Sequence, residues 1–235
     1  QNNKSNSFRR IAFDEICANL ISLSENRKRI KRNKKPKSFN QIFSDNILKN
    51  LQFKLTNAQT KVLKEINQDL KSEARMFRIL QGDVGSGKTI VAMLAIANAI
   101  ESKYQTAFMG PTEILTRQHY EFAKLIFKRI EIKIEYLSGK TELKKRKKIL
   151  SDLENGKIDL LFGTHALFQK RIKFKRLGLI IIDEQHKFGV KQRSDFAKKG
   201  GDFCDVLLMS ATPIPRTMMM ALYGDMDISI INEKP

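Results

Sequence analysis

The stretch GDVGSGKT, residues 82 to 89, matches the phosphate-binding loop pattern G-x-x-x-x-G-K-S/T at every fixed position. Its glycines can take backbone angles closed to residues with a Cβ atom, so successive N–H groups can line one concave nest for phosphate oxygens. We expect Lys88 to reach the β- and γ-phosphates of a nucleoside triphosphate and the Thr89 hydroxyl to reach Mg²⁺. The predicted nucleotide-binding residues of the loop are Gly82, Gly85, Ser86, Gly87, Lys88 and Thr89.

The sequence on both sides of this loop predicts the strand, loop and helix order that such a site needs. Residues 76–80, MFRIL, have the character of a short apolar strand, and residues 89–100 that of a buried helix. Strands and helices then alternate with short connections. This alternation predicts an α/β fold in which a parallel sheet carries helices on both faces. Further strands are expected at 104–109, 132–137, 158–162, 179–182, 206–209 and 228–231, and helices at 112–129, 141–154 and 214–223.

We divide the chain into an N-terminal helical arm, residues 1–50, and a nucleotide-binding domain, residues 51–235. Apolar residues recur at helical spacing between Phe8 and Ile30, and residues 40–50 indicate a second short helix. Between these helices, eight of the eleven residues from Arg27 to Lys37 are basic. Either a solvated linker or a contact with the DNA backbone would explain this basic run.

At the start of the nucleotide-binding domain, Thr56 has the position of an N-cap for the helix that follows. Gln59 lies in the first turn of that helix, a little over twenty residues before the phosphate-binding loop. A side-chain amide can pair with both the donor and the acceptor on the edge of adenine. Gln59 is therefore a candidate adenine ligand, although an isolated glutamine is more often a surface residue.

Composition favours a polyanionic partner. The chain has 235 residues and a formal net charge of +19, which favours nucleic acid, although a lysine-rich codon bias would produce the same excess. No apolar run is long enough to span a bilayer, so we expect no membrane partner. The isolated Cys17 and Cys204 indicate free thiols in a reducing cytoplasm. The chain lacks both a secretory signal and a starting Met, as expected of a fragment.

The segment LGLIIIDEQH, residues 177–186, is an apolar strand that ends in two carboxylates. Asp183 is expected to hold the hydration shell of Mg²⁺ and Glu184 to orient the attacking water, because phosphoryl transfer depends on positioning and charge neutralisation. His186 can relay the state of the γ-phosphate to the segment Ser210 to Thr212. The other histidines, His119 and His165, are placed with His186 in strand-following loops without metal-ligand spacing, so no histidine metal site is predicted.

Two further segments, PTEILTRQH (111–119) and GTHALFQ (163–169), each follow a strand and open a helix. Hydroxyls, helix N-termini and Arg117 can contact a nucleic-acid backbone without reading bases. Basic runs at 144–148 and 170–176 would extend that surface, or are solvated.

Taken together and in this order, GDVGSGKT, PTEILTRQH, GTHALFQ, IIDEQHKFGVKQR and SATPIPRT resemble the first motor lobe of the RecG family, superfamily-two helicases that remodel DNA forks. The resemblance covers nearly the whole chain. It implies a RecA-like domain, ATP and Mg²⁺ as cofactors, and a role in fork regression, Holliday junction branch migration, DNA repair and recombination. It also implies DNA-backbone contacts by Thr112, Arg117, Thr164 and His165, and coupling of ATP to DNA by His186, Ser210 and Thr212.

In that family a wedge domain precedes this lobe and a second lobe supplies arginine fingers, which are worth roughly 10³ to 10⁵ in rate. We therefore expect this chain alone to bind ATP, hydrolyse it poorly and not unwind DNA. Two alternatives stay open: the motor of a transcription-repair coupling translocase, which shares the PIPRT and GTH segments, and a truncated, non-catalytic ATP-gated DNA-binding domain.

Overall fold

A computed structural model describes residues 10–11, 13–18, 34–164, 167, 169, 171–184, 204–212 and 226–234. The helices in order are α1 (Ile42–Asn50), α2 (Asn57–Lys71), α3 (Lys88–Glu101), α4 (Glu113–Ile126) and α5 (Leu143–Glu154). The strands are β1 (Phe77–Gly82), β2 (Gln105–Met109), β3 (Ile134–Leu137), β4 (Leu160–Gly163), β5 (Leu177–Ile182), β6 (Asp205–Ser210) and β7 (Asp227–Ile231). Each predicted element within the described residues is present, with ends shifted by a few residues.

The seven strands form one sheet in the order β3-β4-β2-β5-β6-β1-β7, and every pair is parallel. All carboxyl ends of the strands therefore lie at one edge of the sheet. The predicted parallel α/β fold is confirmed.

Alternate residues of each central strand enter two different apolar layers. On β5, Leu179 and Ile181 pack in one layer with helices α1 to α4. Ile180 and Ile182 pack in the other layer, which includes Leu153 of α5. Because both faces of the sheet are buried, the strands are apolar almost throughout, as is typical of parallel sheets.

Helix α3 has buried residues on every side, from Ile90 to Ile100. This burial explains why its sequence is almost entirely apolar rather than amphipathic. Helix α2 begins with a capping box, in which the Thr56 hydroxyl accepts from the Gln59 backbone N–H and the Gln59 side chain accepts from the Thr56 backbone N–H.

The segment that enters the domain, residues 34–50, packs against α2, α3 and the amino end of the sheet. Lys34 and Lys37 have side chains with 0% exposure, and both form ion pairs with Asp205 at the start of β6. For these two residues both interpretations of the basic run, solvated linker and DNA contact, are wrong. A single carboxylate from a strand far along the chain pairs with both of them inside the protein.

Several predictions concern residues outside those the structure describes, namely the helix at 214–223, most of the helix at 8–30 and the basic residues 27–33. The described part of the first helix exposes Ile11, Phe13 and Ile16. Among the described residues, no helix combines the length and apolarity needed to cross a lipid bilayer.

Candidate functional site

Strand register brings the predicted motifs together at the carboxyl edge of the sheet. Met109, at the end of β2, pairs with Gly163 on one side and Ile182 on the other. Gln81, next to the phosphate-binding loop, pairs with Ser210 at the end of β6. The loops that follow β1, β2, β4, β5 and β6 therefore open at one edge, where parallel sheets bind ligands.

The phosphate-binding loop has the glycine geometry that its sequence predicts at two positions. Gly85 and Gly87 have φ angles of 83° and 81°, in the left-handed region. Gly82 ends β1, and it is needed for a different reason, since a Cβ there would lie 2.5 Å from the Ser86 hydroxyl and 3.0 Å from the Ile231 carbonyl. Gly87 is also the N-cap of α3, so the positive end of that helix faces the loop.

Lys88 folds back over this loop. Its Nζ donates to the carbonyl oxygens of Gly82 at 2.6 Å and Asp83 at 2.8 Å. Partial burial lowers the pKa of Lys88, while the nearby carboxylates of Asp183, Glu184 and Asp83 act in the opposite direction. The two carboxylates predicted from the DEQH segment are thus close enough to Lys88 to influence its charge.

Two polar side chains beside the loop differ in their hydrogen bonding: the first lacks a partner and the second has one. The Ser86 hydroxyl is buried and has no hydrogen-bond partner among the described residues. A phosphate oxygen or water in the loop would satisfy such a group. The Gln59 side chain has 0% exposure, and its Nε2 donates to the Ser86 carbonyl at 2.9 Å. This contact passes so close to Gly87 that a Cβ at position 87 would overlap the amide.

Asp183 and Glu184 directly follow β5. The Asp183 N–H donates to the Met109 carbonyl at 2.8 Å, and Asp183 Oδ1 accepts from the Glu184 N–H at 3.0 Å. Glu184 has a φ of 49°, an unusual value for a residue with a side chain and one that clusters at functional sites. The strand end therefore holds both carboxylates in a defined, locally strained turn.

Oxygen donors suitable for Mg²⁺ are available at this edge. Within the described part of the chain, no group of three His, Cys, Asp or Glu residues could hold a metal ion by itself. One threonine hydroxyl and one carboxylate, with phosphates and water completing the octahedron, fit Mg²⁺ bound with a nucleotide. Thr89 and Asp183 are the residues that would hold it.

His119 is a site residue that sequence reasoning missed. It lies within α4, not in a loop as expected, and its Nε2 is 2.9 Å from Asp183 Oδ2. The sequence contains one signal for this position: Thr112 and His119 are seven positions apart, a spacing that places both on one side of a helix. The adjacency of β2 and β5 then brings His119 to Asp183.

The predicted DNA contacts that the structure describes follow β2 and β4, which are neighbouring strands. Thr112 is the N-cap of α4, and its hydroxyl accepts from the Leu115 N–H at 3.3 Å. Arg117 is exposed on the same helix, with its guanidinium carbon 6.0 Å from the centre of the Tyr136 ring. Thr164 directly follows β4. His165 and His186 lie outside the described residues.

Two of the predicted coupling residues, Ser210 and Thr212, contact each other. The buried Ser210 side chain is 3.1 Å from the Thr212 hydroxyl and 3.2 Å from its carbonyl oxygen. Because Ser210 ends β6 beside β1, this turn lies next to the start of the phosphate-binding loop.

Comparison with known proteins agrees with this arrangement. The family model described as DEAD/DEAH box helicase matches residues 56–221, which include every motif described above except those before Thr56. The chain belongs to the DEAD/DEAH box helicase family. Within it, the chain is 48% identical to the ATP-dependent DNA helicase RecG of Thermotoga maritima over 227 residues, and 45% identical to that of Bacillus subtilis over 231 residues.

Solved structures give the same result. The structure of RecG bound to a three-way DNA junction matches with a TM-score of 0.85 and 44% identity over 97% of this chain. A DUF1998 helicase, MrfA, bound to DNA and AMPPNP, shares the fold with a TM-score of 0.64 at 16% identity. The predicted RecA-like helicase domain and the resemblance to RecG are confirmed.

The match covers this chain almost completely but only part of each relative. The chain spans 29% of the Thermotoga maritima protein, 33% of the Bacillus subtilis protein and 30% of the solved RecG chain. It therefore corresponds to about a third of the length of each of these relatives.

Proposed function

We propose that this chain is the ATP-binding lobe of a RecG-type DNA helicase, which uses ATP to regress forks and migrate Holliday junctions in DNA repair and recombination. The main support is that the phosphate-binding loop, the carboxylate pair of the DEQH segment and the two loops with predicted DNA contacts open at one edge of the sheet. The sequence of this domain is 44% identical to that of junction-bound RecG. The free thiols of Cys17 and Cys204 suit a cytoplasmic location.

In this proposal the loop binds the triphosphate of ATP. The residues assigned to it are those predicted from the sequence, with Lys88 moving its three N–H donors from carbonyl oxygens to phosphate oxygens. Mg²⁺ bound with ATP would neutralise charge on the phosphates. Thr89 and Asp183 would hold the metal, the latter partly through water. Glu184 would orient the attacking water, and His186 would relay the state of the γ-phosphate.

Gln59 is proposed to contact adenine. Each of its amide atoms already makes one bond, to Thr56 and Ser86, and each retains a second donor or acceptor position. Because the Gln59 side chain has 0% exposure, the cleft would have to open at this amide for adenine to reach these positions.

DNA is proposed to bind through its backbone to Thr112, Arg117, Thr164 and His165. The net charge of +19 supports a polyanionic partner. Ser210, Thr212 and His186 would transmit the nucleotide state to this surface. A second helicase lobe and a wedge domain are the proposed partners that complete the helicase.

The decisive experiment measures ATP hydrolysis by this chain with branched DNA, alone and with a separately supplied second lobe. We expect marked activity only with that lobe. Activity of the chain alone would show that the cleft is completed in another way, and inactivity with the lobe present would favour a non-catalytic ATP-gated DNA-binding domain.

DNA binding is tested by its salt dependence. If backbone contacts dominate, log affinity should fall with log salt at a slope of about −0.9 per phosphate neutralised. Arg117→Ala should reduce that slope, while Lys128→Ala, a change to an exposed lysine two residues beyond the end of α4, should leave it unchanged. A flat dependence would mean that the basic composition has no role in DNA binding.

A further inference from the structure

The contact between His119 and Asp183 joins two regions with different proposed tasks. His119 lies on α4, the helix whose N-cap is Thr112 and whose exposed Arg117 is a proposed DNA contact. Asp183 is the proposed Mg²⁺ carboxylate on β5. Their side chains are 17% and 11% exposed, so the contact lies at the floor of the site rather than in bulk solvent.

The chemistry of the two groups gives the direction of this hydrogen bond. An ionised carboxylate only accepts, so His119 Nε2 carries the hydrogen and donates to Asp183 Oδ2. The other oxygen, Oδ1, accepts from the Glu184 N–H. One oxygen of the carboxylate is thus oriented by its own strand end and the other by α4.

A packing contact with β2 also holds the histidine ring in place. The ring packs on Phe108 of β2, with ring centres 4.8 Å apart. The first turn of α4 packs closely on the residue that follows β2, because a Cβ at Gly110 would collide with the Thr116 hydroxyl. A displacement of the first turns of α4 would therefore move the His119 ring relative to Asp183.

We propose that His119 is a positioning residue that links the DNA-contacting end of α4 to the Mg²⁺-binding carboxylate. The proposal rests on the proposed function. DNA bound at Thr112 and Arg117 would hold α4 in the position where His119 orients Asp183, so DNA would favour binding of Mg²⁺ with ATP. By linkage, ATP with Mg²⁺ would favour DNA binding by the same factor.

The test compares His119→Leu, which keeps an apolar volume but removes the donor, with His119→Gln, whose amide N–H can replace Nε2. A fluorescent ATP analogue is titrated into the 235-residue chain in EDTA and in a series of Mg²⁺ concentrations, with and without a three-way DNA junction. We expect His119→Leu to weaken the Mg²⁺-dependent part of the affinity by about 10- to 100-fold, as for other groups that orient metal ligands. The affinity in EDTA should be unchanged, and His119→Gln should recover most of the loss.

The effect of DNA gives the second reading. In the wild type, the junction should raise Mg²⁺-dependent ATP affinity, and His119→Leu should bring that increase close to onefold. A purely structural role would lower the affinity equally in EDTA and in Mg²⁺, together with the thermal midpoint, and would overturn the proposal. Should His119→Leu fail to fold, His119→Asn, which is polar but too short to reach Asp183, replaces it with the same expected losses.

Failure of the proposed function is distinguishable. A wild-type chain that binds ATP without any dependence on Mg²⁺ would contradict the proposed function itself. A wild type that shows Mg²⁺ dependence and a response to DNA, both preserved in His119→Leu, would contradict only the role of His119.

Discussion

Two lysine–aspartate clusters lie at opposite ends of the same sheet, on neighbouring strands. At the amino end, Lys34 and Lys37 surround Asp205 at the start of β6; at the carboxyl end, Lys88 lies near Asp183, just past the end of β5. The first cluster is fully buried and its carboxylate is saturated by three Lys contacts and the Met76 N–H. The second is partly exposed and retains donor and acceptor capacity. The same residue types thus anchor the chain in one place and are available to a ligand in the other.

The excess positive charge of the buried cluster is compensated locally. Lys34 also donates to the carbonyls of Asp69 and Leu70 in the last turn of α2, where the helix dipole favours a cation. Lys37 lies 4.8 Å from the centre of the Tyr104 ring. Burial lowers the pKa of Lys34, although Asp205 opposes this shift. Removing the shared carboxylate should therefore be costly, which separates the two clusters experimentally.

The largest effect is expected from Asp205→Asn. It would leave two buried lysines without a counter-charge, and breaking such a buried pair costs about 3 to 5 kcal/mol of unfolding free energy. Denaturant unfolding measures the change. Asp14→Asn, in the exposed pair with Arg10, serves as the control and should not move the midpoint.

The corresponding substitution at the carboxyl end of the sheet is Asp183→Asn. It should leave the unfolding midpoint close to that of the wild type and remove the Mg²⁺ dependence of ATP binding. Equal loss of stability in both variants would contradict the distinction between an anchoring and a ligand-binding carboxylate.

The next effect is expected from Lys88→Ala, which removes a charged donor to phosphate. Losing such a bond costs about 1.5 to 3 kcal/mol, or roughly 10- to 150-fold in the Kd for ATP. Equilibrium binding of a fluorescent ATP analogue measures it. Lys34→Met should behave in the opposite way, with lower stability and unchanged ATP affinity; the reverse pattern would mean that the clusters were assigned incorrectly.

A smaller effect is expected from Thr56→Ala at the start of α2, the helix that connects the two regions. Its last-turn carbonyls contact Lys34, and Gln59 in its first turn contacts Ser86. Loss of the N-cap should cost about 1 kcal/mol of stability. Because the Gln59 backbone N–H loses the hydroxyl that accepts from it, the first turn that carries the Gln59 side chain should loosen. ATP affinity should therefore fall as well, which calorimetric titration would detect. An unchanged affinity would show that Gln59 does not depend on the capping box.

The smallest effect concerns Cys204, beside Asp205. Complete burial raises the pKa of its thiol to about 12, so at pH 8 roughly one thiol in 10⁴ would be ionised. Thiol alkylation in native conditions should therefore spare Cys204 and modify Cys17. Asp205→Asn should accelerate labelling of Cys204, because the amino end of the sheet would open more often. Rapid labelling of Cys204 in the wild type would contradict a sealed cluster.

Much of the ligand-binding region could be predicted because its requirements are local. The glycines of the loop, Lys88 and Thr89 belong to one short turn, and the apolar run before Asp183 identifies a strand by itself. Period and composition also predicted the parallel sheet. These features depend on neighbours in the chain, and neighbours in the chain are visible in the sequence.

The tertiary structure decided what depends on residues far apart. Lys34 and Lys37 precede Asp205 by 171 and 168 positions, so no local pattern distinguishes them from a solvated basic run. His119 likewise needed the order of β2 and β5 to reach Asp183, 64 positions away. The sequence by itself determined a phosphate-binding α/β domain, because the loop chemistry is contiguous. Only the folded chain decided which charged residues are buried anchors and which face the ligand, because burial and pairing depend on strand order.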